Sequence, residues 1–499
     1  MSIIKIFQFL AAFQKCFTIF RSFIEARPRL EFCGLLMSNA CYFDCVLSKT
    51  ELRVCGEAEK KQVFCALETY WSRDYFCSKT MYLLFRLLEM EFGSFSVKEK
   101  YFCVQYIVKG LAAHRSNLSV QMAGTACLYN LCREDRAQVF HPSVIRDIVD
   151  CCITATEHVP ITLQLHKNVW LTLCNDYILQ SGAFDMFRCC LAALESMVKC
   201  DDAQVTRITV AIVSILAAKI PTELTTRLGA NRTYMKYLLR VVNQKIESRM
   251  AWLVAHGLTP PGQDQQQQQQ LPPHVHQVQA PPPIQDVDMI DGNNNVPQQQ
   301  NVQPAPPVTP PADLTLKFTL SALWNLTDES PATCSVFLEE SGLKSVLLVL
   351  KAFQDSSIEA KVLGLLNNVA EVEHLKRRLI NNDCLTAIQK LLLSTKIDVS
   401  YFAAGILAHL CADLTWDDCE PTWDDCLELL ISTIRSWEKP RSEMVAYRSF
   451  KPFFHLLSKW TLPAVQYWAL WAIHHVCSNN KERYVPLMIK EGGKTELER

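Results

Sequence analysis

The sequence predicts an all-α fold, an armadillo-like helical-repeat solenoid, and two observations carry that reading. Of 499 residues, 49% are hydrophobic and only 20% charged, enough apolar surface for a large core spread over a repeat array. One helical pattern also recurs in register on both sides of a Gln/Pro-rich tract, at steps of about 41 to 43 residues within each block. That step is the one expected of units with two or three helices each.

Taken from the amino end, residues 1–50 read as an N-terminal helix followed by a leucine-rich remnant. Met1 to Phe23 is apolar, but Lys5, Gln14, Lys15 and Arg21 interrupt it, so no uncharged run reaches the ~18 residues of a membrane span. No small-residue cleavage pattern follows it either. Leu30 to Ala40 (LEFCGLLMSNA) fits the short leucine-rich pattern, a permissive match that chance also produces.

Residues 51–256 form a first block of repeats and 314–499 a second. The helix of each unit starts at an apolar or β-branched residue: Val120, Thr162, Val205, Thr315, Ile358, Val399 and Val465. Six residues on stands a mostly small residue (Ala126, Asn168, Ala211, Ser321, Gly364, Gly405, with Trp471 the exception), and eleven on an aliphatic (Leu131, Leu173, Leu216, Leu326, Val369, Leu410, Val476). These offsets mark one face of a helix, and the small residues are expected to let the helices of one repeat approach closely. The interval from Val399 to Val465 is irregular and reads as a shortened repeat near Met444 to Phe454, with Pro452 expected to stop a helix. Trp468 and Trp471 occupy packing offsets and read as core.

Between the blocks, residues 257–313 contain Pro260-Pro261, Gln265 to Gln270, Pro281 to Pro283, Asn293 to Asn295 and Gln298 to Gln300. Such a tract brings too little apolar area to offset its ordering entropy, so it reads as a disordered insertion that interrupts a continuing solenoid.

Composition excludes several functions. Lys plus Arg number 50 and Asp plus Glu 51, so no net field draws in nucleic acid or anionic lipid. The 22 cysteines sit in apolar stretches, among them Cys127, Cys132, Cys174, Cys189 and Cys190, without C-x-x-C spacing. They read as buried thiols of a cytosolic or nuclear protein. His409, His474 and His475 lack a carboxylate or cysteine at a zinc-ligand spacing, so neither metal nor cofactor is expected. No G-x-S-x-G, phosphate-binding glycine loop or H-E-x-x-H occurs, and the chain is expected to be no enzyme.

The candidate site is a peptide-binding groove in the second block. The residue just before the terminal aliphatic is Asn130, Thr172 and Ile215 in the first block, but Asn325, Asn368, His409 and His475 in the second. A carboxamide there can bond a peptide backbone, and it can equally satisfy a neighbouring loop carbonyl. Asp328 follows Asn325 by three residues, and Glu371 follows Asn368 by three. An i, i+3 step keeps each pair on one surface, so adjacent repeats would gather two carboxylates and two amides beside Trp324. A free α-ammonium requires such acceptors with an aromatic wall, although single acidic residues near helix ends are more often merely solvated.

The stretches SALWNLTDESP (Ser321 to Pro331), KVLGLLNNVAEV (Lys361 to Val372), VSYFAAGILAHL (Val399 to Leu410) and EMVAYRSFKPFF (Glu443 to Phe454) closely resemble the Zyg-eleven and Zer-one family. Less densely, the likeness extends to SVQMAGTACLYNLC, KNVWLTLCND and VAIVSILAAK in the first block. The resemblance implies armadillo-like repeats that bind substrates with an N-terminal glycine, and a substrate-selecting role in a cullin-2 RING ubiquitin ligase reached through elongin. It implies that Trp324, Asn325 and Asp328 stand for the family's W-N-x-x-D element and Asn368 and Glu371 for its N-x-x-E element, with His409 on the next rung. This chain departs from the pattern: its first 25 residues show no elongin-binding box, at most one leucine-rich repeat is present, it ends at Arg499, and it carries the insertion. Partner recruitment through its own residues is therefore open, and a plain scaffold for internal peptide segments is the other reading.

Overall fold

The computed structural model describes residues 60–258, 313–438, 440 and 442–498, and within them every regular element is a helix. The expected amino-terminal helix, the leucine-rich remnant and nearly all of the Gln/Pro-rich insertion fall outside the described residues. The pattern found in the sequence corresponds to one continuous row of helices, here numbered along the row: α1 Asp74–Met90, α2 Leu118–Cys132, α3 Leu163–Leu173, α4 Ala203–Leu216, α5 Leu314–Thr327, α6 Ser356–Ala370, α7 Ile397–Asp413 and α8 Pro463–Asn479. Each packs on the next. A second row, from Val97–Ala113 to Trp423–Ser436, stacks alongside and completes an all-α helical-repeat solenoid.

All seven aliphatics at the eleventh offset are buried, with Leu131, Leu216, Leu326, Val369, Leu410 and Val476 at 0% exposure. Five of the seven starts are buried too; at Thr162 and Thr315, which are only half-buried, Leu165 and Leu316 take the first core position. The row has one member more than the pattern found. α1 was missed because Leu83, a bulky residue, stands six positions after Cys77, where the other units are mostly small.

Across the insertion the solenoid continues as expected. α4 packs directly on α5, and the helix Arg232–Ala255 packs on Gly342–Ala352. Arg232 holds Glu339 and Glu340 across the same boundary.

Two expectations are corrected by the packing. The small sixth-offset residues bring together row helices of neighbouring repeats, not the helices of one repeat. A Cβ on Gly364 of α6 would lie 2.5 Å from the Trp324 indole of α5, and one on Gly405 of α7 would lie 2.6 Å from Trp468 of α8. Pro452 does not stop a helix but sits in the first turn of the short helix Lys451–Leu457, where its missing N–H has no intrahelical acceptor to lose. The residues before it, 444–449, form an irregular strap in place of a shortened repeat.

Trp468 is core, 1% exposed, and Trp471 packs against Trp437 and Tyr401. Among the described residues the cysteines are free thiols. Cys127, Cys132, Cys189 and Cys190 are buried as expected, whereas Cys174, at the end of α3, is exposed. No described helix is long and apolar enough to cross a membrane.

Candidate functional site

The carboxyl ends of α5 and α6 lie side by side, and each ends in a carboxylate. At the end of α5, Asp328 leaves the helix (φ −59°, ψ 120°) and Glu329 takes a left-handed conformation (φ 52°), turning the chain into the helix Pro331–Glu339. At the end of α6, Glu371 caps the last turn, its N–H donating to Asn367 O at 3.0 Å. Its Oε1 accepts from Asn367 Nδ2 at 2.8 Å.

The rung amides first serve the ladder between repeats. Asn325 Nδ2 donates to Ser214 O of α4 at 2.8 Å. Asn368 Nδ2 donates to Trp324 O at 2.9 Å and to Thr327 Oγ1 at 3.0 Å, both on α5. The amide nitrogens thus bond the neighbouring repeat, as the loop-satisfying reading expects, and the amide oxygens are acceptors.

Trp324, Asn325, Asp328, Asn368 and Glu371 line one cavity of about 220 Å³, together with Glu329, Asn367 and Phe402. The Trp324 indole lies over Gly364 and meets the Phe402 ring edge-on at 5.1 Å. The strap, residues 444–449, forms the rest of the wall with Pro452 and Phe453. Arg448 reaches from the strap to Asp328, with Nε to Oδ2 at 2.7 Å.

His409 is not part of this lining. It lies behind Glu371, its side chain 3% exposed and Nε2 3.8 Å from Oε1 of the carboxylate. The rung explains this: Asn325, Asn368 and His409 each meet the preceding repeat, so His409 on α7 faces Glu371 of α6, and its ring also meets Trp468 of α8 at 5.6 Å between centroids. Burial, with Lys376 adding to it, pushes the imidazole down to about 3, so it is neutral. Its Nε2 and the buried Asn367 Oδ1 have no hydrogen-bond partner among the described residues.

The site is electrostatically arranged for a cation. Two helix carboxyl ends, each worth about half a negative charge, converge on two carboxylates. Burial, opposed by Arg448 and reinforced by Glu329, pushes Asp328 up to about 6. Burial, and then the Asp328 and Glu329 charges, push Glu371 up to about 8 against the pull of the Asn367 amide and Lys376. Glu371 thus feels the charge of Asp328, and an entering ammonium would stabilise both carboxylates. No group of three His, Cys, Asp or Glu among the described residues is placed to hold a metal.

Sequence reasoning missed Asn367, Phe402 and the strap. Asn367 was readable, standing four residues before Glu371 and so one turn away on the same helix face. The strap's reach to α4 was not, since Arg448 meets partners more than 220 residues away.

A family model described as "Protein zer-1 homolog-like, C-terminal domain" matches residues 109–499. Protein zer-1 homolog of Homo sapiens is 26% identical over 476 residues, covering 94% of this chain and 53% of that protein. Zyg eleven-related protein 1 of Caenorhabditis elegans is 32% identical over 183 residues, covering 36% of this chain and 20% of that protein. The chain spans about half the length of the mammalian zer-1 homologs it matches.

Proposed function

We propose, from the premise that this chain belongs to the zer-1 homolog-like family, that it is a substrate-recognition protein whose cavity captures the free amino terminus of other proteins. The observation that carries the reading is the convergence of Asp328 and Glu371 at two adjacent helix ends, with the Asn325 and Asn368 oxygens and the Trp324 ring on the same cavity wall. These groups accept hydrogen bonds, and an α-ammonium offers only donors. At about 220 Å³ the cavity is smaller than the roughly 300–1,000 Å³ of pockets for drug-sized ligands, which favours a first residue without a side chain, glycine.

In this reading the chain presents glycine-starting proteins to a cullin-2 RING ubiquitin ligase in the cytosol or nucleus, through elongin. Partner subunits carry out ubiquitin transfer and the chain catalyses nothing itself. Many of its cysteines are buried and unpaired, in keeping with a reducing compartment.

The test is a binding series with a glycine-starting peptide, its N-acetylated form, and the same sequence placed internally. Acetylation removes the charge and is expected to weaken binding at least tenfold. Equal affinity for all three peptides would replace this reading with that of a scaffold for internal segments. Co-purification of elongin and cullin-2 with the full chain tests the ligase assignment separately.

A further inference from the structure

Arg448 and Tyr447 stand next to each other on the strap yet bind opposite sides of the helix row. Arg448 Nη1 donates to Ile220 O at 2.9 Å and Nη2 to Ala217 O at 2.8 Å, while Nε holds Asp328. Those carbonyls belong to the short 3₁₀ turn that ends α4 and to the residue after it, and Ala217 O accepts from the Ile220 N–H at 3.4 Å as well as from Arg448. Tyr447 bonds through its hydroxyl to the Tyr401 hydroxyl of α7. Between these anchors lie the ends of α5 and α6, with Asp328 and Glu371. The strap is thus tied at α4 and at α7, over the two carboxylates.

We propose that Arg448 is a specificity-determining residue: by clamping the strap over the ends of α5 and α6, it makes the groove a dead end that admits a chain terminus and excludes a chain passing through. This rests on the reading of the cavity as an amino-terminus site. The planar guanidinium is suited to the task, because its fork spreads its donors over a rigid plane and so reaches two carbonyls and a carboxylate that lie apart, whereas the three donors of an ammonium radiate from one point. Its bond to Asp328 Oδ2 also restricts what that carboxylate can offer a ligand. An incoming ammonium meets Oδ1 of Asp328 and Oε2 of Glu371, whose Oε1 already accepts from Asn367 Nδ2.

The experiment uses the full chain and two fluorescent peptides, one starting with a free glycine and one with the same sequence extended by several residues ahead of that glycine. The quantity read is the ratio of their affinities in wild type, Arg448→Lys and Tyr447→Phe. Wild type is expected to favour the free end at least tenfold. In Arg448→Lys the ratio should fall at least tenfold, chiefly because the extended peptide gains affinity, and Tyr447→Phe should shift it the same way by less. A large wild-type ratio that survives in both folded variants overturns the role of Arg448 alone. A wild-type ratio near one overturns the amino-terminus reading and this inference with it. Should Arg448→Lys fail to fold, Tyr447→Phe, which loses only a hydroxyl, decides the question by the same ratio.

Discussion

Replacing Glu371 with glutamine separates what the carboxylate costs the fold from what it gives the ligand. In the empty site burial and the neighbouring acids hold Glu371 up at about 8, against an ordinary 4.5. Its folded value lies above its unfolded one, so the stability it contributes is complete below pH 4.5 and is lost as pH rises through about 8. At pH 7 the native state retains a proton that the unfolded chain has released over some 2.5 pH units, a penalty of about 3 kcal/mol relative to a side chain that does not titrate. Glutamine escapes that penalty and keeps an oxygen for Asn367 Nδ2. The expected result is a higher denaturant midpoint than wild type at pH 7 to 8, converging with wild type near pH 4. The same variant should bind a glycine-starting peptide roughly ten- to a hundredfold more weakly, the worth of one charge-assisted hydrogen bond. Denaturation curves across pH 4 to 9 and peptide anisotropy at pH 8 provide both readings. A glutamine variant less stable than wild type at pH 7.5, or one that binds as tightly, would refute the reasoning.

Peptide affinity should also depend on pH in a bell. It rises as Asp328 and Glu371 lose protons, through about 6 and about 8, and falls as the peptide's own amine, near 7.7–8.0, is deprotonated. Calorimetry in buffers of different ionisation enthalpy should register proton release on binding at pH 7. Gly364→Ala places a Cβ 2.5 Å from the Trp324 ring, so the indole must shift. It is expected to cost about 1–3 kcal/mol of stability and to weaken peptide binding, read by thermal unfolding and titration. Asn368→Ala removes two hydrogen bonds between α6 and α5, to Trp324 O and Thr327 Oγ1, and should destabilise the protein by about 1–3 kcal/mol. Asn325→Ala, which removes a bond to Ser214 O at a less buried position, should cost less in the same assay.

The row of helices was legible because each repeat solves the same packing problem with the same residue types at the same offsets. Asp328 and Glu371 stand thirteen residues after Thr315 and Ile358 respectively, so equal register alone carried both carboxylates to one place. Register did not reveal direction. Asn325, Asn368 and His409 share a rung, and the rung faces the preceding repeat, which is why His409 lies behind Glu371 and not in the cavity. Asn325 and Asn368 reach the cavity wall because only their nitrogens are held by the ladder. The strap was illegible for another reason: residues 444–449 carry no period, and what fixes them is hydrogen bonding to α4 and α7, remote in sequence.

An acidic pocket at helix carboxyl ends is a costly thing to build, and the cost bears on its purpose. Carboxylates are stabilised at helix amino ends and destabilised at carboxyl ends, so the helix ends themselves stabilise neither Asp328 nor Glu371. Asp328 is compensated by Arg448, a bond that also fixes the strap. Glu371, its side chain 16% exposed, has only an amide donor at hydrogen-bond distance and a neutral imidazole behind it. A purely structural residue at this position would be better as glutamine, which makes the same bond to Asn367 without the charge. The carboxylate makes physical sense if a cation arrives from outside the chain to complete the site, and a cavity of about 220 Å³ suits the small amine proposed above.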